Sequence, residues 1–228
     1  MVKVTFIGHS CFLIESGEHK ILIDPFITGN PVAKATEEQQ KADFVLVTHG
    51  HGDHLGDAIG IAKENNATIV SNFEICTFCE SQGVEKTHPL HIGGGNDFPF
   101  GSAKLTIAHH GSTLGDKLQY GGSPAGIIIR TGGKIIYHAG DTGLFLDMKL
   151  IGELDNINLA LVPIGGNFTM DISDAIKAVE FLNPKQAIPM HYNTFDLIAC
   201  DPNNFVNGIK PFGVEGIVLD FGESYELN

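Results

Sequence analysis

Residues 48–54 read Thr-His-Gly-His-Gly-Asp-His, which puts four ligand-type side chains (His49, His51, Asp53 and His54) within six positions. Imidazole and carboxylate are the donors that zinc, manganese and iron accept. Gly50 and Gly52 let the backbone turn tightly, so side chains two apart can converge on one point. The segment follows an apolar run, Phe-Val-Leu-Val-Thr at 44–48, that reads as a strand. Whatever fold the chain takes must let that strand end open onto a polar pocket.

The rest of the chain alternates short strand-like runs with fewer helical ones. Residues 2–6, 12–15 and 20–24 predict three successive strands, with Ser16-Gly17-Glu18 turning the last two into a hairpin. Helical patterns start at His54, ending at Asn65-Asn66, and at Asn72, whose side chain suits an N-cap. That second helix carries Phe73, Ile75, Cys76 and Cys79 on its apolar face. A strand at 68–71 lies between them. In the second half, 104–108, 126–130, 134–138, 159–163, 186–190 and 217–219 read as strands, and Gly132-Gly133 makes a tight hairpin. The clearest helix spans 171–182, with Ile172, Ala175, Ile176, Val179 and Leu182 on one side and Asn183-Pro184 stopping it; a helical patch covers 203–209. Hairpins early and late with helices between predict two mixed sheets packed together under outer helices. No linker or low-complexity segment divides residues 1–228, so a single domain is expected.

Composition narrows the function. Acidic residues outnumber basic ones 27 to 14, for a net charge of −13. That argues against nucleic acid or an anionic membrane as partner, since both need clustered Lys and Arg. An anionic small substrate stays compatible, because bound divalent cations make a pocket locally positive. No run is apolar and long enough for a signal peptide or a membrane span, and the four cysteines are too few and scattered for a disulfide framework. Cytoplasmic residence is the expectation. Cys76-x-x-Cys79 has no second pair to complete a thiolate zinc site and reads as two helix thiols, at least one of them buried.

Three further segments end strands with potential ligands: Ala108-His109-His110-Gly111-Ser112, His138-Ala139-Gly140-Asp141-Thr142-Gly143 and Pro189-Met190-His191-Tyr192. Strand alternation does not decide between His109 and His110, because the backbone leaves strand geometry near Gly111.

This ordered set resembles the metallo-β-lactamase-fold superfamily, whose signature is His-x-His-x-Asp-His followed by His, Asp and His in separate loops. The resemblance runs essentially end to end. The stretches GHSCFLIESGEHKILIDPF, VPIGGNFTMDISDA and IPMHYNTF are similar to the small metal-dependent hydrolase branch, which is related to ascorbate-6-phosphate lactonase. The resemblance implies an α+β fold, a four-layer αββα sandwich of two mixed sheets flanked by helices. It also implies two divalent ions, zinc first, with manganese, iron or nickel suiting the same donors. His49, His51 and His110 would hold the first ion, and Asp53, His54 and His191 the second, with Asp141 bridging both. Asp24, helped by Thr48, would orient ligands from behind. The implied activity is hydrolysis of an ester, lactone or phosphodiester bond of a small molecule by a metal-bridging hydroxide, with Asp53 orienting it and shuttling a proton.

Departures from the better-known members are informative. Asp141 stands where zinc β-lactamases of the best-known class carry Cys, which disfavours antibiotic hydrolysis. His51 replaces the Glu of oxygen-reducing diiron relatives, and neither a flavodoxin-like half nor the extra domains of the RNA-processing nucleases or glyoxalase II are recognisable. His9, after the first strand, is either a catalytic group facing the pocket or a buried structural imidazole. His138 is a candidate for support behind the ligands, and Asn167, Tyr192 and Asn193 for substrate contact. His109 is expected as a pocket-wall or stacking residue. The alternative reading is a non-catalytic metal-binding protein used for regulation or assembly, and a homo-oligomer is compatible with either.

Overall fold

The structure is a computed structural model that describes residues 1–115 and 117–228. The first half runs β1 (Val2–Gly8), β2 (Cys11–Ser16), β3 (His19–Ile23), β4 (Phe44–Leu46), α1 (Gly52–Leu55), α2 (Ala58–Asn65), β5 (Thr68–Asn72), α3 (Phe73–Ser81) and β6 (Thr87–Leu90). The second runs β7 (Gly95–Phe98), β8 (Gly101–Ile107), β9 (Thr113–Leu114), β10 (Gln119–Tyr120), β11 (Ala125–Thr131), β12 (Lys134–His138), α4 (Asp147–Leu154), β13 (Leu159–Pro163), α5 (Ile172–Leu182), β14 (Gln186–Met190), α6 (Pro202–Ile209) and β15 (Glu215–Gly216). The chain then returns to the first sheet as β16 (Ser224–Leu227).

Two seven-stranded sheets result, in the orders β16-β1-β2-β3-β4-β5-β6 and β7-β8-β11-β12-β13-β14-β15. Read in those directions, both show three antiparallel pairings followed by three parallel ones. The two halves are therefore built alike, without any repeat in the sequence. A small separate hairpin, β9-β10, stands apart from both sheets.

The all-apolar strand β4 shows why four layers form. Phe44 and Leu46 face the core shared by the two sheets, while Val45 and Val47 join the core under α2 and α3. A strand covered on both faces needs no polar alternation. The second sheet is covered outside by α4, α5 and α6, and Ala175, Ala178, Val179 and Leu182 of α5 are buried there. Asp171 caps α5 by accepting from the Asp174 N–H, and Asn183 ends it in the left-handed conformation. The protein is an α+β αββα sandwich, as expected.

Local expectations failed in four places. The helix predicted from His54 to Asn65 is broken into α1 and α2 at Gly56, which has φ +40° and no room for a side chain: a Cβ there would lie 2.4 Å from the Pro25 carbonyl oxygen. Phe73 is exposed and stacks on His91 instead of packing inward. The strand expected at 217–219 ends at Gly216, because the chain leaves the second sheet there to cross to β1, keeping one ladder bond from the Ile217 N–H to Ala187. β6, β7, α4 and β16 went unforeseen; β6 holds a proline and two polar residues, and β7 is nearly all exposed, so neither shows an apolar pattern.

The topology also aims the chemistry. β1, β3 and β4 point one way in the first sheet, and β8, β12, β13 and β14 point together in the second. Every ligand-bearing loop follows the C-terminal end of one of these strands, where open α/β sheets bind their ligands.

Candidate metal centre

Asp24 follows β3 and is completely buried. Its Oδ1 accepts from the Thr48 backbone N–H at 2.8 Å, and its Oδ2 accepts from the Thr48 hydroxyl at 2.6 Å and from His54 Nδ1 at 2.8 Å. With the Thr48 proton given to Asp24, Thr48 Oγ1 becomes the acceptor for His49 Nδ1, 3.0 Å away. The hydrogen-bond network thus assigns a proton to Nδ1 of both His49 and His54 and turns each Nε2 away from Asp24 toward the site, where that of His49 lies 3.0 Å from His51 Nδ1. One carboxylate orients two neighbouring imidazoles.

Those nitrogens meet the other candidates. Donor atoms of His49, His51 and His110 all lie within 4.8 Å of one another, as do those of His9, Asp53, His54 and His191, and those of His49, His54 and Asp141. Asp141 Oδ2 sits 3.0 Å from His191 Nε2, 3.3 Å from His54 Nε2 and 3.5 Å from His110 Nε2. It therefore touches residues of both expected ligand sets. His54 Nε2 and Asp141 Oδ1 are buried without a hydrogen-bond partner. A lone pair facing a carboxylate oxygen at 3.3 Å is repulsive unless a proton or a cation lies between them. The donor set, five imidazoles and two carboxylates converging with unpartnered atoms, fits one or two divalent ions.

Charge states follow from the same geometry. Burial pushes His49 well below its ordinary pKa, and burial likewise lowers His51 and His110, so all three are held neutral. Burial works against charge on His54 too, but Asp141 and Asp24 on either side outweigh it and raise His54 well above the usual range. Burial opposes the Asp141 charge, yet the His54 and His191 imidazoles hold it well below ordinary carboxylates; Asp53 is lowered in the same way by its hydrogen bond from His9.

His9 is fully buried at the end of β1, in the left-handed conformation at φ +58°. Its Nε2 lies 3.2 Å from Asp53 Oδ2 and its Nδ1 2.9 Å from Thr194 Oγ1, and its ring stands 4.0 Å from that of His191. Burial lowers its pKa to about 4, so at neutral pH it carries one proton, which the Asp53 carboxylate claims at Nε2. Thr194 then donates to Nδ1. Asp24, His191, Asn167 and Asn193 also have positive φ; with His9 they are five of the eight such non-glycine residues among those described. Backbone strain is concentrated in the loops that build the site.

Among the other residues singled out from sequence, His110 points into the site, whereas His109 is exposed and stacks on Phe145 at 4.8 Å. His138 donates from Nε2 to the Ser10 carbonyl and accepts the Gly140 N–H at Nδ1, so it braces the loop before Asp141. Gly140 has φ +63°, and a Cβ there would lie 2.5 Å from the Ala125 carbonyl oxygen. Tyr192 is only 3% exposed and packs toward Phe6 and Phe221, which removes it from the substrate contacts. Asn193 braces its own loop by accepting the Cys200 N–H, and Asn167 is exposed.

Sequence reasoning missed Thr194, Ser112 and the pair Phe26 and Phe195. Ser112 accepts the Gly50 N–H and donates to Gly121, tying the His-rich loop to the β9-β10 hairpin. Phe26 and Phe195 each lie 5.7 Å from the His9 ring and wall that side of the site. Nothing in the spacing of these residues marks them; only the packing of distant loops brings them in.

A β-lactamase superfamily domain model matches residues 3–191. The chain belongs to the metallo-β-lactamase superfamily. It is 52% identical over 227 residues to a UPF0173 metal-dependent hydrolase of Carboxydothermus hydrogenoformans, covering 99% of this chain and 100% of that one. A solved metallo hydrolase from the hyperthermophilic archaeon Ignicoccus hospitalis is 41% identical and superposes with a TM-score of 0.90 over 100% of this chain and 99% of the other. A metal-dependent hydrolase of Parabacteroides distasonis, 26% identical, gives a TM-score of 0.75 over 96% and 93%. Metal-dependent hydrolase is thus the description its superfamily relatives carry. Among the described residues no helix is long and apolar enough to cross a membrane.

Proposed function

We propose that the protein is a binuclear metal-dependent hydrolase acting on an ester, lactone or phosphodiester bond of a small molecule. His49, His51 and His110 would hold one ion, Asp53, His54 and His191 the other, and Asp141 both. The observation that carries this reading is the convergence of two ligand groups on Asp141, with His54 Nε2 and Asp141 Oδ1 buried and unpartnered. When bound, divalent ions supply Lewis acidity toward a substrate oxygen and lower the pKa of water at the site.

The chain's own residues supply position and proton handling. Asp53 is the most open of the candidate carboxylates, its side chain 34% exposed against 3% for Asp141. It would orient the attacking water and receive its proton. His9 is buried behind Asp53 with both ring nitrogens engaged, so it acts as a positioning residue, not as a proton donor to substrate. The Thr194–His9–Asp53 chain of hydrogen bonds would hold the carboxylate in one orientation. Phe26 and Phe195 exclude water from the His9 side, which strengthens the electrostatics within.

The test is a screen of metal-reconstituted protein against generic ester, lactone and phosphodiester substrates. Turnover is expected in at least one class, lost in His51→Ala and reduced about 100-fold or more in Asp53→Asn. Metal-loaded protein inactive in all three classes would favour the non-catalytic metal-binding alternative.

A further inference from the structure

A groove of about 500 Å³ lies between α1, α3 and the β9-β10 hairpin, lined by His51, Gly52, Leu55, Phe78, Thr113 and Leu118 with further glycine backbone, and meets the metal centre at His51. We propose that this groove receives an uncharged, apolar alkyl or acyl arm of the substrate, an inference that rests on the hydrolase reading of the adjoining site. The groove and the site share a wall, because His51 belongs to both. Its volume lies in the range of small-molecule pockets. Beyond His51, none of the lining side chains among the described residues is ionisable, although the chain as a whole carries a net charge of −13. The described wall offers apolar surface and backbone.

Leu118 strengthens the argument. Its side chain is 73% exposed, and its backbone has φ +49°, a conformation in which a non-glycine residue is strained. An exposed leucine held in that conformation is unfavourable in solvent on both counts, and a ligand lying against it would cover it. Leu55 is nearly buried below, and Phe78 packs against the core under α2 and α3, so the floor is rigid and apolar. Gly52 leaves open space where a larger residue would stand, which widens the groove next to His51.

The experiment titrates metal-loaded, methyl-labelled protein with acetamide, butanamide, hexanamide and octanamide, uncharged probes that need not be turned over, and follows the Leu55 and Leu118 methyl resonances. Full burial of a methylene is worth about four-fold in affinity; for a groove open on one side the expectation is roughly two-fold each, so about 60-fold over the six methylenes from acetamide to octanamide. Leu118→Asp should weaken octanamide about ten-fold while leaving acetamide and the bound metal unchanged. Affinity independent of chain length, shifts confined to residues outside the groove, or no effect of Leu118→Asp would each overturn the proposal. Absence of turnover on every substrate class would instead sink the hydrolase reading, while chain-length-dependent binding would still identify the groove's ligand.

Discussion

Loading the site with zinc at pH 8 should release one proton per chain from the protein's own ligands, beyond the one given up by metal-bound water, and the structure says which one. In the metal-free protein His54 is flanked by Asp24 Oδ2 at 2.8 Å from Nδ1 and Asp141 Oδ2 at 3.3 Å from Nε2. Burial disfavours the imidazolium, but these two carboxylates outweigh it and hold the ring protonated well above its ordinary pKa. The Nε2 proton occupies the position an ion needs and must leave when one binds. His49, His51 and His110 are already neutral, because burial lowers them, and Asp53 and Asp141 are already ionised, so they release none. Calorimetric titrations in non-chelating buffers of different ionisation enthalpy give the count as the slope of observed against buffer enthalpy. A slope near two is expected, one proton from His54 and one from ionisation of metal-bound water, with the His54 proton making affinity at its ion rise about ten-fold, or 1.36 kcal/mol, per pH unit while His54 is protonated in the metal-free state. A slope near one would mean that His54 is neutral before loading and would refute the assignment of Asp24 and Asp141 as its charge partners.

Other consequences are open to measurement. His110→Ala should lose the ion shared with His49 and His51 and nearly all activity, whereas His109→Ala, which removes an exposed ring stacked on Phe145, should keep its metal and at most part of the rate; the opposite ranking in metal content would exchange the two assignments. Asp24→Asn, which takes a charged acceptor from His54 and Thr48, should weaken metal binding 10- to 100-fold by competition against a chelator, and unchanged affinity would deny its orienting role. Acid should loosen the metal-free fold. Burial lowers His9, His49, His51, His110 and His138 below the unfolded value of 6.5, so their stabilisation is present above pH 6.5 and is lost as pH falls toward the folded values, about 4 for His9; only His54 has the opposite sign. For a group like His9, about 2 kcal/mol is lost by pH 5, or roughly 4–8 °C in Tm, and a Tm flat from pH 7 to 5 would contradict this.

Much of this was legible in the residues because ligand chemistry is local. The spacing of His49, His51, Asp53 and His54 needs only one strand end and two glycines, and β4 could be recognised from four apolar residues in a row. Asp141 and His191 stood out by standing at strand ends. What could not be read depends on distant loops meeting. Thr194 reaches His9 across 185 positions, and Ser112 reaches Gly50 across 62. Gly56 breaks a well-patterned helix only because the Pro25 backbone passes beside it. Tyr192 looked like a pocket residue from its place beside His191, yet the chain turns at His191, which has φ +54°, and Tyr192 packs toward Phe6 and Phe221. Strand β6 escaped notice because an edge strand tolerates the proline and polar residues that argue against a central one.

Assembly of a two-ion site by the loops following β4, β8, β12 and β14 underlies every expectation above. Elemental analysis of purified protein reconstituted at pH 8, in parallel with His110→Ala, His191→Ala and Asp141→Ala, tests it most directly. About two ions per chain are expected for the unmodified protein, about one for each histidine variant and a loss at both positions for Asp141→Ala. Fewer than about half an ion per chain after reconstitution, or three variants that bind as much metal as the parent, would contradict it.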